Sequence, residues 1–295
     1  MKMNYKFKAL VVAVAMAASA PALAVIEGGS SGNGELLLNV RYYGGDSATS
    51  GGDDISGLFD LGFKMNDMIA LNGQTAISKS WDMTGGAYGA SWNQLISFVT
   101  SHGGDMSKIG YNVIALDSSN LNVAGGVHYL TTANVDAYPV IGNANVKSLA
   151  GMQQYIDANN SRSTHATDAN GASTATPTDA PNSFFGAING SGQGDTWLTK
   201  AGLDTTQPLG MDQHFWLLTT SSTSSLAKGI TTPFGADLDQ DGKITGNEFS
   251  KFNLNADGTL SFTSPVSAVP EADTWAMLLA GLGMLGMMVR RRTSI

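Results

Sequence analysis

Short apolar runs alternate with turn-forming residues along most of the chain. Between residues 25 and 264, glycine, asparagine, serine and threonine interrupt the apolar runs every eight to twelve residues or so, at about the spacing of an all-β sandwich or barrel. The predicted strands are residues 35–43, 57–63, 109–116, 127–131, 214–220, 250–254 and 259–263. We therefore expect a mainly β domain, sandwich-like or barrel-like, over residues 25–264.

Two segments follow a helical period instead. The first places apolar side chains at Trp92, Leu95, Ile96 and Val99, and the second at Val146, Leu149, Met152, Tyr155 and Ile156. They predict one or two short helices packed against the strands. By contrast, residues 161–183 are rich in small polar residues and hold two prolines, a composition that predicts a mobile loop.

The first 24 residues have the composition of a secretory signal peptide. Three lysines precede an uncharged apolar run over residues 9–20, and the small residues Pro21-Ala22-Leu23-Ala24 follow it. This order of basic, apolar and small residues predicts cleavage by signal peptidase near Val25. A short membrane anchor is the alternative, although the run is too short to span a bilayer.

The C-terminal segment, residues 265–295, has a similar arrangement in reverse. Pro270 and Glu271 precede an uncharged stretch, and Arg290, Arg291 and Arg292 follow it. As a helix, residues 275–289 would rise roughly 22 Å, which spans a membrane if the bilayer thins and the arginines reach its surface. Since positive flanks stay in the cytoplasm, the body of the chain is predicted to lie outside it.

These residues resemble the PEP-CTERM sorting signal of bacteria that produce exopolysaccharide. The match consists of Val269-Pro270-Glu271, the apolar residues 274–283 and the arginine cluster 290–292, with Ala272 where the second proline of the signal would stand. The resemblance implies recognition by exosortase, a membrane transpeptidase that cleaves near the Pro-Glu box. It also implies a precursor held in the inner membrane and a product at the cell surface or outside the cell.

Composition narrows the choice of partners. Only 14% of the residues are charged, against about 25% in typical soluble domains. Residues 25–269 hold 22 acids and 10 bases, a formal charge of −12. This charge disfavours nucleic acid and anionic lipid surfaces as partners of the domain as a whole. The absence of cysteine excludes disulfides, thiolate metal sites and thiol nucleophiles.

The strongest chemical motif is a twelve-residue loop from Asp237 to Glu248, which matches the EF-hand calcium pattern at its defining positions. The predicted ligands are the carboxylates of Asp237, Asp239, Asp241 and Glu248, the carbonyl of Lys243 and a water on Thr245. Glycine and proline before the loop exclude an entering helix, so the loop resembles the isolated calcium loops of dockerin-like modules. We expect a structural Ca²⁺ site there, with a solvated Asp-rich turn as the alternative.

A second Asp-Gly sequence follows at residues 253–261 but lacks a closing carboxylate, because Ser264 occupies the twelfth position. Apolar residues alternate on both sides of Asp257-Gly258. This pattern predicts a β-hairpin turn.

Enzymatic alternatives rest on weaker patterns. Gly45-Asp46-Ser47 is similar to the GDS box of GDSL-type hydrolases, but Ala48 replaces the expected leucine, and Asp212 and His214 have the wrong spacing for the partner motif. The acid pair Asp53-Asp54 is a candidate for glycoside hydrolysis. The histidines, at positions 102, 128, 165 and 214, show no zinc spacing; position 165 falls in the predicted mobile loop and positions 128 and 214 in predicted strands.

Aromatic residues offer one further alternative. Trp81, Trp92, Trp197, Trp216, Tyr42 and Tyr43 are candidates for a sugar-stacking platform, or else for core positions. The sequence therefore favours a noncatalytic exported protein of the cell surface or extracellular matrix, associated with exopolysaccharide or biofilm. A secreted serine esterase, a glycoside hydrolase and a carbohydrate-binding module remain alternatives.

Overall fold

A computed structural model describes residues 25–44, 52–73, 76–186 and 201–266, together with the isolated positions 280, 282 and 284. The strands are β1 (Glu35–Tyr43), β2 (Asp54–Lys64), β3 (Ile77–Asp82), β4 (Ile109–Asp117), β5 (His128–Ala133), β6 (Ala172–Ala175), β7 (Gln207–Pro208), β8 (Gln213–Thr219), β9 (Ile230–Pro233), β10 (Lys251–Leu254) and β11 (Thr259–Ser264). The α-helices are α1 (Met65–Leu71), α2 (Gly89–Ser101), α3 (Asn143–Ser148) and α4 (Met152–Asn160). Single 3-10 turns occupy Gly29–Ser31, Met106–Lys108, Leu149–Gly151, Ser163–Ala166 and Gly246–Glu248.

All of these strands belong to one antiparallel sheet. Its order is β3-β11-β10-β8-β5-β4-β1-β2-β6, with β7 paired to β4 and β9 paired to β8. The sheet curls, so that strands near opposite ends of the order approach each other. Trp81 on β3 donates its Nε1 hydrogen to the carbonyl of Leu61 on β2 at 3.0 Å. The mainly β prediction is confirmed, and the single curled sheet is closer to a barrel than to a two-sheet sandwich.

Helices cover both faces of the sheet near β1. Leu36, Leu38 and Val40 of β1 belong to a core cluster that also contains Trp92 and Leu95 of α2. On the other face, Leu37 packs in a second cluster with apolar residues of α3 and α4. A strand buried on both faces needs an almost continuous apolar run, and the sequence Glu-Leu-Leu-Leu-Asn-Val-Arg-Tyr-Tyr of β1 supplies it.

Both predicted helical segments are helical, the first as α2 and the second as α3, a 3-10 turn and α4. Helix α1 was not predicted. It has only seven residues, too few to show a helical period, and it begins where the Asp67 carboxylate accepts the backbone N–H of Lys64 at 3.3 Å. The number of helices therefore exceeds the predicted one or two.

The prediction of a mobile loop at residues 161–183 is wrong. This segment contains a 3-10 turn and the buried strand β6, which pairs with β2. Its order comes from polar contacts: Thr164 Oγ1 accepts the N–H of Ala172 at 2.8 Å, and the Ser173 hydroxyl donates to Asn159 Oδ1 at 2.7 Å. A shortage of apolar side chains did not prevent folding, because neighbouring elements supply hydrogen-bond partners.

The predicted hairpin at Asp257-Gly258 is confirmed. It joins β10 to β11, with Phe252 opposite Phe262 and Leu254 opposite Leu260, all four buried. Gly258 adopts a φ of 86°, a conformation that glycine enters without steric cost.

The predicted terminal segments lie largely outside the described residues. This applies to the signal peptide 1–24, to Pro270 and Glu271, to Arg290, Arg291 and Arg292, and to the membrane helix 275–289 apart from positions 280, 282 and 284. Among the residues that are described, no helix has the length and apolar character needed to cross a bilayer. Strand β11 ends at Ser264.

Candidate functional site

The predicted calcium loop lies between β9 and β10, which pair with the same edge of β8. Pro233 of β9 pairs with Trp216, and Lys251 of β10 pairs with His214. The loop leaves the sheet between these two pairings, and an isolated bridge between Gly235 and Phe249 closes its base. The chain enters and leaves the loop as extended backbone, in agreement with the expectation that no helix precedes it.

Aromatic packing fixes the base of the loop. The ring of Phe249 stacks on His214 at a centroid distance of 4.0 Å, with 3° between the ring planes, and lies 5.3 Å from the ring of Trp216. Ile244 packs against the same cluster from within the loop. Because these contacts hold the residue that follows Glu248, they fix the position from which that side chain extends.

The first half of the loop wraps around Asp237. The carboxylate of Asp237 accepts the N–H of Asp241 at 3.1 Å and the N–H of Gly242 at 2.8 Å. Gly242 has a φ of 85°, which provides the sharp turn predicted at this position. Asp239 also accepts the N–H of Asp241, at 3.2 Å.

Glu248 closes the loop with hydrogen bonds to both halves. Its Oε1 accepts the N–H groups of Leu238 at 2.7 Å and Asp239 at 3.3 Å, and its Oε2 accepts the N–H of Thr245 at 2.9 Å. The Thr245 hydroxyl donates to Oε2 at 3.3 Å. The backbone N–H groups of Thr245 and Leu238 hold the pKa of Glu248 below its usual value, because they stabilise the charged form.

Three of the four predicted carboxylates converge. Oxygen atoms of Asp237, Asp239 and Glu248 all lie within 4.8 Å of one another, the one such cluster of three or more candidate metal ligands in the described part of the chain. The carboxylate of Asp241 accepts the N–H of Lys243 at 2.8 Å instead. The donor set is entirely oxygen, the chemistry that Ca²⁺ prefers.

The four histidines lie on separate elements. His102 ends α2, and His128 and His214 lie in β5 and β8, as the sequence predicted for the last two. The expectation for His165 is wrong, because it is fully buried in the 3-10 turn Ser163–Ala166 with Nε2 3.3 Å from the carbonyl of Leu58. Burial lowers its pKa to about 4.

Of the two alternatives for the aromatic residues, the described tryptophans and Tyr42 occupy core or half-buried positions rather than a stacking platform. Tyr42, Trp92 and Trp216 are at most 3% exposed, and they pack in the cores on the two sides of β8 and β1. Trp81 is half-buried and stacks on Phe252 at 6.4 Å. These rings pack in the hydrophobic core, because a sheet that is covered on both faces needs large side chains to fill the space between its layers. Trp197 lies outside the described residues.

The structure describes the candidate acid pair for glycoside hydrolysis but not the candidate serine nucleophile. Ser47 lies outside the described residues. Of the acid pair Asp53-Asp54, the second residue is buried at the start of β2, where its Oδ1 accepts the N–H of Gly44 at 3.1 Å.

A pair of carboxyl groups that the sequence analysis missed lies between β1 and β2. Asp60 on β2 is 1% exposed and hydrogen-bonds with Glu35 at the start of β1. Burial, and then the charge of Glu35, raise the pKa of Asp60 to about 8, so Asp60 is protonated at neutral pH and donates to Glu35. Glu35 also accepts the N–H of Glu27 at 2.8 Å, and Lys64 lies 2.8 Å from Glu27. The one sequence signal was an acid between apolar residues within β2.

Comparison with known proteins adds information on the C-terminal segment. Residues 268–292 match a family model described as the PEP-CTERM protein-sorting motif. No curated protein and no solved structure matches the chain. The C-terminal segment is thus similar to the sorting motif of exosortase substrates, which supports an exported protein with a membrane-anchored precursor.

Proposed function

We propose that this chain is a noncatalytic protein of the cell surface or extracellular matrix, associated with exopolysaccharide or biofilm, that exosortase sorts through its C-terminal segment. The observation that carries the proposal is the position of the sorting motif. The motif begins at residue 268, and the last strand of the described residues ends at Ser264. The curled sheet is therefore completed before the sorting residues begin, and a membrane enzyme can process the tail without unfolding the domain.

The sorting residues have separate roles in this proposal. Pro270 and Glu271 form the box at which exosortase acts, whereas Arg290, Arg291 and Arg292 hold the end of the predicted membrane segment 275–289 in the cytoplasm. Signal peptidase removes residues 1–24 on export. The catalytic chemistry belongs to the processing enzymes, and this chain is their substrate.

The experiment is mass spectrometry of the protein isolated from its native host, with variants of the arginine cluster. We expect wild type to lack the tail, and replacement of all three arginines by glutamine to leave it attached, because the neutral end no longer fixes the orientation. Replacement by lysine is the matched control, since it keeps the charge and should keep processing. An intact, unprocessed wild-type chain in the cytoplasm of its own host contradicts the proposal.

Pro270→Ala and Glu271→Ala test recognition separately from insertion. Both variants should be exported in wild-type amount but remain in the membrane fraction with the tail attached. Normal cleavage of both variants would show that exosortase does not recognise Pro270 and Glu271.

We further propose that the loop Asp237–Glu248 holds a structural Ca²⁺ ion. Asp237, Asp239 and Glu248 would supply converging carboxylates, with Asp241, the Lys243 carbonyl and a water on Thr245 as further ligands. Support comes from the electrostatics: three carboxylates within 4.8 Å repel one another unless a cation neutralises them. The ion would tie the ends of the loop together and so stabilise the junction of β9 and β10.

The competing esterase assignment has a direct test. A fluorophosphonate probe labels an activated serine. We expect no labelling of the purified protein, and a labelled adduct that disappears in Ser47→Ala would replace the noncatalytic assignment by a serine hydrolase.

A further inference from the structure

One end of the sheet collects most of the exposed apolar side chains of the described domain. Strand β8 ends at Thr219, which pairs with His128 at the start of β5, and His128 pairs with Asp117 at the end of β4. The loops 118–127 and 220–229 therefore emerge side by side, and Gly125 N–H donates to the carbonyl of Thr220 at 2.7 Å. We call this region the loop end of the sheet.

The exposed apolar residues are concentrated there. Eight large apolar side chains are exposed between residues 25 and 266, and five of them lie at the loop end: Leu121, Val123, Val140, Leu226 and Ile230. Leu226 is 98% exposed and Val140 is 76% exposed. Single exposed apolar residues are ordinary, but a contiguous group of them marks an interaction surface.

The loop that carries Leu226 is held in place rather than free. The buried side chain of Asn143 donates to the carbonyls of Ser222 at 3.0 Å and Ser224 at 2.9 Å, and accepts the N–H of Ser221 at 3.1 Å. Lys147 donates to the carbonyl of Thr223 at 2.7 Å. Specific hydrogen bonds therefore hold the loop in the conformation that exposes this leucine to solvent.

Charge at the loop end is opposite to that of the whole domain. Residues 118–127, 138–148 and 220–233 contain no Asp or Glu and two lysines, Lys147 and Lys228, whereas residues 25–269 carry −12 overall. The nearest acid of the adjoining strands, Asp117, is 14% exposed and binds the N–H and hydroxyl of Ser119. Glu27 is 45% exposed on the segment whose Gly29 carbonyl accepts the N–H of Ser118, and it pairs with Lys64 at 2.8 Å. The loops of this end thus lack the net negative charge that disfavours an anionic surface for the domain as a whole.

The direction of the chain brings the loop end to a membrane. Strand β8 is antiparallel to β10 and β10 is antiparallel to β11, so β11 points toward the loop end. It stops level with His214, five residues before the end of β8, a gap that the tether can cover. Only eight residues, 267–274, separate the described domain from the predicted membrane helix, a reach of at most about 3.6 Å each or roughly 29 Å. A domain of about 240 residues has a radius of gyration of about 18 Å, so the tether is shorter than the domain is wide.

We infer that the loop end docks on the lipid surface of the inner membrane while the tail is still attached, with its apolar side chains inserted among the headgroups and Lys147 and Lys228 facing anionic lipid. This inference rests on the proposed function, which supplies the membrane-anchored precursor. Shallow insertion of apolar side chains supported by nearby lysines is the usual physics of interfacial binding. Removal of the tail then releases the domain, because an interface of five side chains does not hold it alone.

The absence of cysteine makes the test direct. In the full chain, Leu226→Cys carries an environment-sensitive NBD label at the loop end, and Ala256→Cys carries it on the β10–β11 turn, which is exposed at the opposite end of the sheet. Each labelled protein is reconstituted into phosphatidylcholine–phosphatidylglycerol vesicles containing doxyl-labelled lipid. We expect a blue shift and strong quenching at position 226, neither at position 256, and weaker quenching at 226 when phosphatidylglycerol is omitted.

Failures of the two proposals are distinguishable. A chain that does not float with the vesicles lacks the membrane anchor and overturns both proposals. A chain that floats but shows equal, weak quenching at positions 226 and 256 overturns only the docking surface. A blue shift at 226 that lipid does not quench, and that grows with protein density, assigns the surface to a second copy of the chain and overturns the lipid assignment.

Discussion

Two buried carboxyl groups of this protein sit in opposite electrostatic surroundings. Glu248 is 4% exposed and Asp60 is 1% exposed, yet burial is the first cause of the raised pKa of Asp60 and only a minor influence on that of Glu248, which closes an exposed loop. Glu248 accepts three backbone N–H groups, and its pKa is lowered. Asp60 accepts one N–H, from Gly62 at 2.9 Å, and hydrogen-bonds with Glu35, and its pKa is raised to about 8.

Besides burial, the difference comes from the secondary structure that surrounds each group. Asp60 lies in a strand whose backbone N–H groups are engaged in pairing; its own N–H donates to the carbonyl of Gly171 at 3.0 Å. Glu248 lies at the end of a loop whose N–H groups have no ladder partner and turn inward to the carboxylate. Depth therefore raises the pKa of Asp60, whereas the N–H donors around Glu248 lower its pKa, and the two carboxyl groups differ in both respects.

The largest expected effect is a pH dependence of stability that comes from Asp60. The group keeps its proton up to about pH 8 in the folded protein, whereas its unperturbed pKa is 3.8. Between about pH 4 and pH 8 the native state thus binds more protons, and the free energy of unfolding falls as the pH rises. Each pKa unit is worth about 1.4 kcal/mol, so the decline amounts to several kcal/mol. Urea unfolding at a series of pH values measures it.

Asp60→Asn should remove most of this decline, because the amide cannot ionise and still donates to Glu35. His165 contributes with the opposite sign below about pH 6.5, since its pKa is lowered to about 4. The difference between wild type and Asp60→Asn cancels that contribution. Asp105→Asn, at an exposed acid with a lowered pKa, is the control and should leave the decline unchanged. Parallel pH profiles of wild type and Asp60→Asn would contradict the assignment.

The next effect is calcium-dependent stability at Glu248. For a weak extracellular site with a Kd of about 0.1 to 1 mM, 10 mM Ca²⁺ should raise the Tm by roughly 3 to 10 °C relative to chelator. Glu248→Gln should lose most of this rise, because a neutral amide removes the closing negative charge. Scanning calorimetry with and without chelator provides the measurement.

The second Asp-Gly turn supplies the matched control. Asp257→Asn removes the same charge from an exposed Asp-Gly sequence that lacks a closing glutamate, and it should keep the full calcium response. Equal Tm values for wild type in Ca²⁺ and in chelator would contradict the calcium site and favour the alternative, a solvated Asp-rich turn.

The smallest effect concerns Glu35. Its charge is the second cause of the raised pKa of Asp60, after burial. Glu35→Gln should therefore move the upper limit of the stability decline below pH 8 without abolishing it. The same unfolding series detects the shift, and an effect as large as that of Asp60→Asn would show that the charge of Glu35, not burial, dominates.

The sequence predicted the long central strands well and the edges of the sheet poorly. Strand β1 has the predicted bounds, because a nine-residue run buried on both faces leaves a clear pattern. Strands β3, β6, β7 and β9 were not predicted. They have two to six residues, and β3 and β9 are edge strands with exposed polar positions, so pairing with a neighbour creates them rather than their own composition.

Of the candidate sites, one depends on local spacing in the sequence and the other on the pairing of distant strands. The twelve-residue spacing of Asp237 to Glu248 is local, and the loop closes as that spacing predicted. The carboxylate of Asp241 does not join the other three and accepts the N–H of Lys243, two residues on. The pairing of Asp60 with Glu35 depends on the register of β1 and β2, which includes a shift between Glu35 and Leu37. No spacing of residues along the chain predicts this pairing of Asp60 with Glu35.

By itself, the sequence determined the features that depend on residue type at short range: the sorting motif, the turn at Asp257-Gly258 and the carboxylates of the acidic loop. The tertiary structure alone decided the order of strands in the curled sheet, the raised pKa of Asp60 and the gathering of Leu121, Val140 and Leu226 at one end. The physical reason is that burial, electrostatic coupling and shared surfaces act between residues that are neighbours in space. Which residues become neighbours is fixed only when the whole sheet has formed.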